Sequence, residues 1–202
     1  MKIKEAILDI LLPKHCIGCG KEGKYICGNC ELFLSETPNS INDLFTVWEY
    51  EGIIEKAIGK IKYDGAFHIV DELVEKAFER ITLELPEDAC ITFVPMYKRK
   101  EKQRGFNQAE LIARKVGEIT KKEVVPLLTK IKDNQTQAGL NSAGRIENVK
   151  NSFDFRGSFS PQNVLLVDDF YASESTMREC QKILRENGVK NVWGFTLAKS
   201  DH

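Results

Sequence analysis

No stretch of this 202-residue chain approaches the roughly 20 consecutive apolar residues a membrane-spanning helix requires, so no membrane insertion is expected. Nor does one sign of charge prevail: 29 basic and 30 acidic side chains leave a net charge of −1. That balance removes any global electrostatic case for nucleic acid, and such a contact would need a local patch. Internal repeats and low-complexity tracts are absent as well. Residues 1–12 superficially look like a signal peptide, but Glu5 and Asp9 interrupt them. Ile3, Ala6, Ile7, Ile10 and Leu11 fall at helical spacing there, which reads as a short amphipathic helix of the mature protein. A soluble cytoplasmic protein is the expectation.

What is present is globular in composition, at 42% hydrophobic and 29% charged residues. The length allows one core of about 150 residues plus a small accessory module. Cysteine is distributed unevenly: Cys16, Cys19, Cys27 and Cys30 cluster, whereas Cys90 and Cys180 stand alone in apolar settings as small core residues. The cluster reads Cys16-Ile17-Gly18-Cys19, seven residues, then Cys27-Gly28-Asn29-Cys30. Each pair is a tight turn presenting two thiolates to one point, the donor set of a closed structural Zn²⁺ site. Two disulfides would need an oxidising compartment, and a redox role for one pair leaves the other unexplained. This module is expected over residues 1–46, ending in the loop-like composition of residues 35–40.

A second module, residues 47–202, alternates strand and helix signals. Val47-Trp48-Glu49-Tyr50 is a candidate strand. Helices follow on Ile53, Ile54, Ala57, Ile58 and Ile61, stopping at Gly65, and on Ile69, Val70, Leu73, Val74, Ala77 and Phe78. Cys90-Ile91-Thr92-Phe93-Val94 reads as a buried strand, and Ala109, Ile112, Ala113 and Val116 as a helix starting near Asn107. A short strand is expected around Val124 and Val125. Met177, Cys180, Ile183 and Leu184 mark a last helix with Gly188 just past its end, before a closing strand over residues 191–198. The order predicts an α/β fold with a parallel sheet flanked by helices. Residues 129–151 are polar and aperiodic, as functional or mobile loops usually are.

The run Val164-Leu165-Leu166-Val167-Asp168-Asp169 leads into the polar Phe170-Tyr171-Ala172-Ser173-Glu174-Ser175-Thr176. It predicts a strand buried on both faces, with two acids at its carboxyl end, where open α/β sheets bind ligands. A loop entering a helix there aims N–H groups at an anion, and the acids suit ribose hydroxyls or Mg²⁺. An ordinary strand-to-helix turn with solvated acids is the plain alternative. Lys98-Arg99-Lys100-Glu101-Lys102-Gln103-Arg104 follows the Cys90 strand, where a pyrophosphate is the natural counterpart and a solvated charge run the alternative. Lys62, closing its helix, either reaches the same ligand or serves its helix dipole. Gln137, Arg145 and Asn148 lie on the long polar segment, able to fold over a site or simply solvated.

Together these residues resemble the ComF (ComFC-type) competence family, whose C-terminal domain has a type I phosphoribosyltransferase fold. The resemblance spans the four-cysteine knuckle, Tyr50 with Lys62-Tyr63, and Val94-Pro95 with Arg104-Gly105-Phe106-Asn107-Gln108. It continues through Gln137, Arg145, Asn148 and Phe153 to Val164-Leu165-Leu166-Val167-Asp168-Asp169. It implies a site for 5-phosphoribosyl-1-pyrophosphate (PRPP) with Mg²⁺. Asp168 and Asp169 would meet the ribose hydroxyls, directly or through metal-bound water. The amides of Ala172, Ser173, Glu174, Ser175 and Thr176 would hold the 5′-phosphate, with the hydroxyls of Ser173, Ser175 and Thr176. Lys62, Arg99 and Arg104 would face pyrophosphate, and residues 137–145 would form a hood. The family loop usually reads Asp-Asp-x-x-Thr-Thr-Gly-x-Thr, and Glu174 stands here in place of its glycine. Asn134 stands where the family often has threonine.

The role the resemblance implies is in natural competence, the uptake of transforming single-stranded DNA, with competence helicase or recombination proteins as partners. It leaves the chemistry open between a phosphoribosyltransferase, a non-catalytic single-stranded-DNA-binding adaptor with a decayed PRPP site, and a nucleobase salvage enzyme.

Overall fold

In the computed structural model, residues 13–37, 43–133, 149–157, 161–171 and 174–200 are described. The expected N-terminal helix, Asn134, the hood residues Gln137, Arg145 and Asn148, and Ala172 and Ser173 of the phosphate loop lie outside them.

The cysteine knuckle leads into a single helical turn, α1 (Gly28–Glu31). Then come β1 (Leu44–Glu49), α2 (Gly52–Asp64), α3 (His68–Phe78) and β2 (Cys90–Phe93). The chain continues through α4 (Lys98–Arg104), α5 (Gln108–Thr120), β3 (Leu128–Lys130) and β4 (Phe153–Phe155). It finishes with β5 (Asn163–Tyr171), α6 (Glu174–Glu186) and β6 (Asn191–Lys199). Local signals set the boundaries. Gly65 ends α2 in the left-handed region at φ 64°, which a side chain would disfavour. Asn107 caps α5, its side chain accepting from the Ala109 N–H.

Four strands form one sheet in the order β1-β6-β5-β2, every pair parallel. Ile91 of β2 also bridges Val124 in parallel, the short strand expected at that point. Strands buried on both faces need continuous apolar sequence, and Val164, Leu165, Leu166 and Val167 supply it. Leu165 and Val167 pack with Ile54, Ile58, Leu73, Ile112 and Val116 of α2, α3 and α5. Val164 and Leu166 pack on the other face with Met177, Cys180 and Leu184 of α6 and with Leu128 and Phe153. Cys90 and Cys180 are buried in this second cluster. The fold is thus the expected α/β parallel sheet flanked by helices, with a four-cysteine module at the N-terminal side.

Three segments differ from the sequence reading. Residues 98–104, read as a charge run, form the helix α4, ended by Gly105 at φ 88°. Residues 129–151 are not structureless at their start: β3 pairs antiparallel with β4 across a long connection. Residues 35–37, read as linker, lie antiparallel along the outer side of β1. The Thr37 N–H donates to Val47 O at 3.0 Å and the Glu49 N–H to Ser35 O at 2.8 Å.

The cysteine module is fastened to α3. Ile26 is fully buried in the main core. The Glu72 carboxylate accepts from the Tyr25 N–H at 3.0 Å and the Ile26 N–H at 2.7 Å. Glu31 pairs with Lys76 and, at 2.5 Å, with Arg80, which also binds Glu36 at 2.9 Å.

Candidate functional site

The carboxyl ends of the parallel strands share one rim, and both acids stand on it. β5 does not stop at them; it runs on through Phe170 and Tyr171, which pair with Ala198 and Lys199 of β6. Because side chains alternate along a strand, Asp168 and Asp169 leave the sheet on opposite faces.

Asp169 turns toward α2, where Lys62 Nζ lies 2.6 Å from its Oδ2. The contact is one of charge, since Oδ2 has no aligned hydrogen bond. Lys62 also lies 5.8 Å from the Phe170 ring centre, and Tyr50 stacks on that ring at 3.8 Å. Burial alone would lower the Lys62 pKa, but Asp169 outweighs it and the net shift is upward.

Asp168 turns toward α6. Its Oδ1 accepts from the Asp169 N–H at 2.9 Å, and among the described residues no cation is in ion-pair contact with it. Burial, with the Asp169 carboxylate beside it, holds its pKa well above the usual range for an aspartate. Ser175 is buried and Thr176 half-buried in the first turn of α6, the helix packed against this face.

The expected cations separate. Arg99 donates to Asp133 Oδ2 at 2.5 Å and Lys100 lies 3.5 Å from Asp133 Oδ1, so this end of α4 is tied to the chain beyond β3. Arg104, at the other end, donates to Gln108 Oε1 at 2.6 Å and stands 5.8 Å from the Tyr63 ring. Five helical residues put about 7.5 Å of axis between the two arginines. Among the described residues neither pairs with the acids, and of the expected cations it is Lys62 that is brought onto the doublet.

Sequence reasoning passed over Lys130. It sits on β3 with Nζ 5.1 Å from the Phe153 ring centre. Burial first, then the nearby Lys100, lower its pKa against the pull of Cys180, Asp168 and Asp133. β3 is three residues long, too short for any periodicity that would have marked it.

The sulfur atoms of Cys16, Cys19, Cys27 and Cys30 all lie within 4.8 Å of one another, and none forms a disulfide. A tetrahedral zinc with Zn–S bonds of about 2.3 Å needs sulfurs about 3.8 Å apart; Cys19 and Cys27 stand at 3.6 Å. Burial opposes it, but N–H groups of Cys27, Cys19 and Gly18 bring the Cys16 thiol down to about 6. Burial and the three neighbouring thiols push Cys30 up to about 12. The cluster could bind a metal such as zinc. Mg²⁺ fares differently: acids on opposite faces, one already holding Lys62, do not fit a cation bridging both.

Among the described residues no helix is long and apolar enough to cross a membrane. No family model matches the chain. Curated relatives do. Competence protein F of Haemophilus influenzae is 31% identical over 200 residues, covering 91% of this chain and 85% of that protein. Competence protein ComFC of Streptococcus pneumoniae is 27% identical over 92% of this chain and 81% of its own length. DNA utilization protein YhgH of Escherichia coli is 26% identical over 92% and 84%. Among solved structures, an allosteric regulatory enzyme of purine biosynthesis overlays with a TM-score of 0.41 and 19% identity. The overlay covers 63% of this chain and 25% of that one, a likeness too low to carry weight. A parallel sheet bearing an acidic doublet on its carboxyl rim, a four-thiol knuckle at its flank and near full-length similarity to competence protein F place this chain in the ComF family of competence proteins.

Proposed function

We propose that this protein binds PRPP, or a closely related sugar phosphate, at the carboxyl rim of its sheet, as a phosphoribosyltransferase-like component of DNA uptake in the cytoplasm. One observation carries the reading. Asp168 keeps a half-buried carboxylate with no cation in contact among the described residues, beside the first turn of α6. Such a group is stable only as an acid or opposite an incoming metal or hydroxyl. Asp168 would hold Mg²⁺ together with ligand phosphates, and the ion when bound would neutralise the pyrophosphate. Asp169, in contact with Lys62, would orient the strand end and accept from the ribose. Ser175 and Thr176 offer hydroxyls for the 5′-phosphate where α6 begins, with Ala172, Ser173 and Glu174 preceding them. Cys16, Cys19, Cys27 and Cys30 would hold structural zinc in the module of residues 1–46.

Isothermal titration with PRPP and Mg²⁺ tests the site. The expected result is saturable heat that disappears in Asp168→Asn. No heat from the wild type, with binding restored by Glu174→Gly, would show a decayed site.

A second reading, a single-stranded-DNA-binding surface, is favoured by one feature. Tyr63 is 81% exposed and Phe67 is 47% exposed, beside Arg104 and an edge-to-face Phe67–Phe106 pair at 4.7 Å. Exposed rings among cations suit unpaired bases. Fluorescence anisotropy with oligonucleotides should show salt-dependent binding that weakens in Tyr63→Ala and on neutralising Lys98, Arg99 and Lys102. Salt-independent or unchanged binding would remove this reading.

A further inference from the structure

The inward side of the β3–β4 hairpin carries one residue its surroundings do not call for. Lys130 pairs across the ladder with Phe153, and Leu128 pairs with Phe155. Leu128 and Phe153 are buried in the cluster that lines α6 and β5. Lys130 follows the same alternation inward and lays its ammonium against the Phe153 ring. A half-buried ammonium is costly, because desolvation disfavours its charge.

No carboxylate among the described residues lies within ion-pair distance of Lys130. The groups acting on it are Lys100, the Cys180 thiol, Asp168 and Asp133. Lys100 repels it, and Asp133 is already engaged by Arg99 and Lys100. Asp168 attracts it from β5 without touching it. On the other face of the sheet, Lys62 and Asp169 have closed onto each other at 2.6 Å. The doublet is therefore asymmetric: one acid is neutralised by a lysine, and the other stands apart from one.

Asp168 continues the face of β5 on which Val164 and Leu166 meet Leu128 and Phe153, so the acid and the ammonium share one side of the sheet without pairing, and one molecule can answer both. It must offer oxygen anions to the lysines and a hydroxyl or a bound cation to the carboxylate. A sugar diphosphate has both. We propose that Lys130 is a ligand-contacting residue of the rim site, donating to a pyrophosphate oxygen of a ligand whose hydroxyls or bound cation face Asp168; this rests on the PRPP reading above. Lys130 then supplies an anion contact that α4 does not, since Arg99, Lys100 and Arg104 are engaged elsewhere.

The test compares wild type, Lys130→Ala, Lys130→Arg and, as a surface control, Lys132→Ala, using titration calorimetry with inorganic pyrophosphate and with PRPP, both in Mg²⁺. Thermal melts run in parallel. Loss of a charge-assisted hydrogen bond should weaken both ligands about tenfold or more in Lys130→Ala. Lys130→Arg should recover most of the affinity, and Lys132→Ala should match wild type. Should Lys130→Ala fold poorly, Lys130→Met keeps the stem on Phe153. In ¹⁵N-lysine-labelled wild type, the Lys130 Nζ resonance should shift on adding pyrophosphate. Unchanged affinity in the variants, or an unmoved Nζ signal at saturation, overturns the proposal while leaving PRPP binding intact. A wild type that binds neither ligand overturns the rim-site reading and this proposal with it.

Discussion

The seam between the cysteine module and α3 and the carboxyl rim of the sheet are both charged and both partly buried, yet they treat charge in opposite ways. At the seam every acid has answered partners: Glu31 has Lys76 and Arg80, and Glu72 has two backbone amides. There the Glu31 pKa is lowered: burial pushes it up, but Lys76 and Arg80 win. At the rim Asp168 is raised and Lys130 lowered, each pushed toward its neutral form. Paired charge of the first kind holds a structure together. Separated charge of the second kind burdens it, and is the usual mark of a surface that waits for a ligand.

The largest test of that contrast disables the four-cysteine cluster. Chelation, or Cys30→Ser, should unfold the module and expose the Ile26 seam, at a cost of about 3 kcal/mol or more. Zinc content, tryptophan fluorescence from Trp48 and the melting temperature would report it; an unchanged melt would show that the seam holds the module without metal. Next is Glu31→Gln, which leaves Lys76 and Arg80 without their shared carboxylate. The expected loss is about 2 kcal/mol in urea denaturation, discounted from a fully buried pair because these groups are partly wet. Its pH dependence has a definite sign. Glu31's folded pKa lies below its unfolded one, so its stabilisation is complete above about pH 4.3 and is lost as pH falls through the folded value. The wild type and Glu31→Gln curves should converge in acid.

Asp168→Asn should go the other way. A carboxyl whose folded pKa is raised penalises folding once ionised. That penalty is absent below the unfolded pKa, near about 4, and grows until pH passes the folded value. The variant should gain about 1 kcal/mol at neutral pH while losing PRPP binding. A destabilised Asp168→Asn would mean that the acid serves the fold and not a ligand. Smallest of all, Arg99→Gln removes an exposed rim cation and should shift stability by less than about 0.5 kcal/mol. A larger drop would turn Arg99–Asp133 into a structural clasp and blur the contrast.

Much of this was readable in the chain, for local reasons. Gly65, Asn107 and Gly188 end or begin helices through their own backbone preferences, and the apolar run at residues 164–167 can only be a doubly covered strand. Four cysteines at paired spacing converge because two tight turns leave them little choice. What escaped was non-local. β3 and β4 are three residues each, too short for periodicity, and they find each other across a long connection. Residues 35–37 join β1 through main-chain groups, which no side-chain pattern advertises. The α4 basic run hid a helix because its residues have no buried face to betray one. The continuation of β5 to Tyr171 changed the site most. It turns two adjacent acids from a single pincer into occupants of opposite faces, and it makes Lys130 visible.

The three residues laid along β1 have a further consequence. β1 is the outermost rung of the sheet, and an uncovered outer rung invites a stranger's backbone to add itself. Residues 35–37 take that place from within, and they are tethered directly to the cysteine knuckle a few residues upstream. Disrupting the four-cysteine knuckle would therefore do more than loosen a small appendage: it would peel the guard from the sheet's margin and leave molecules free to stick to one another.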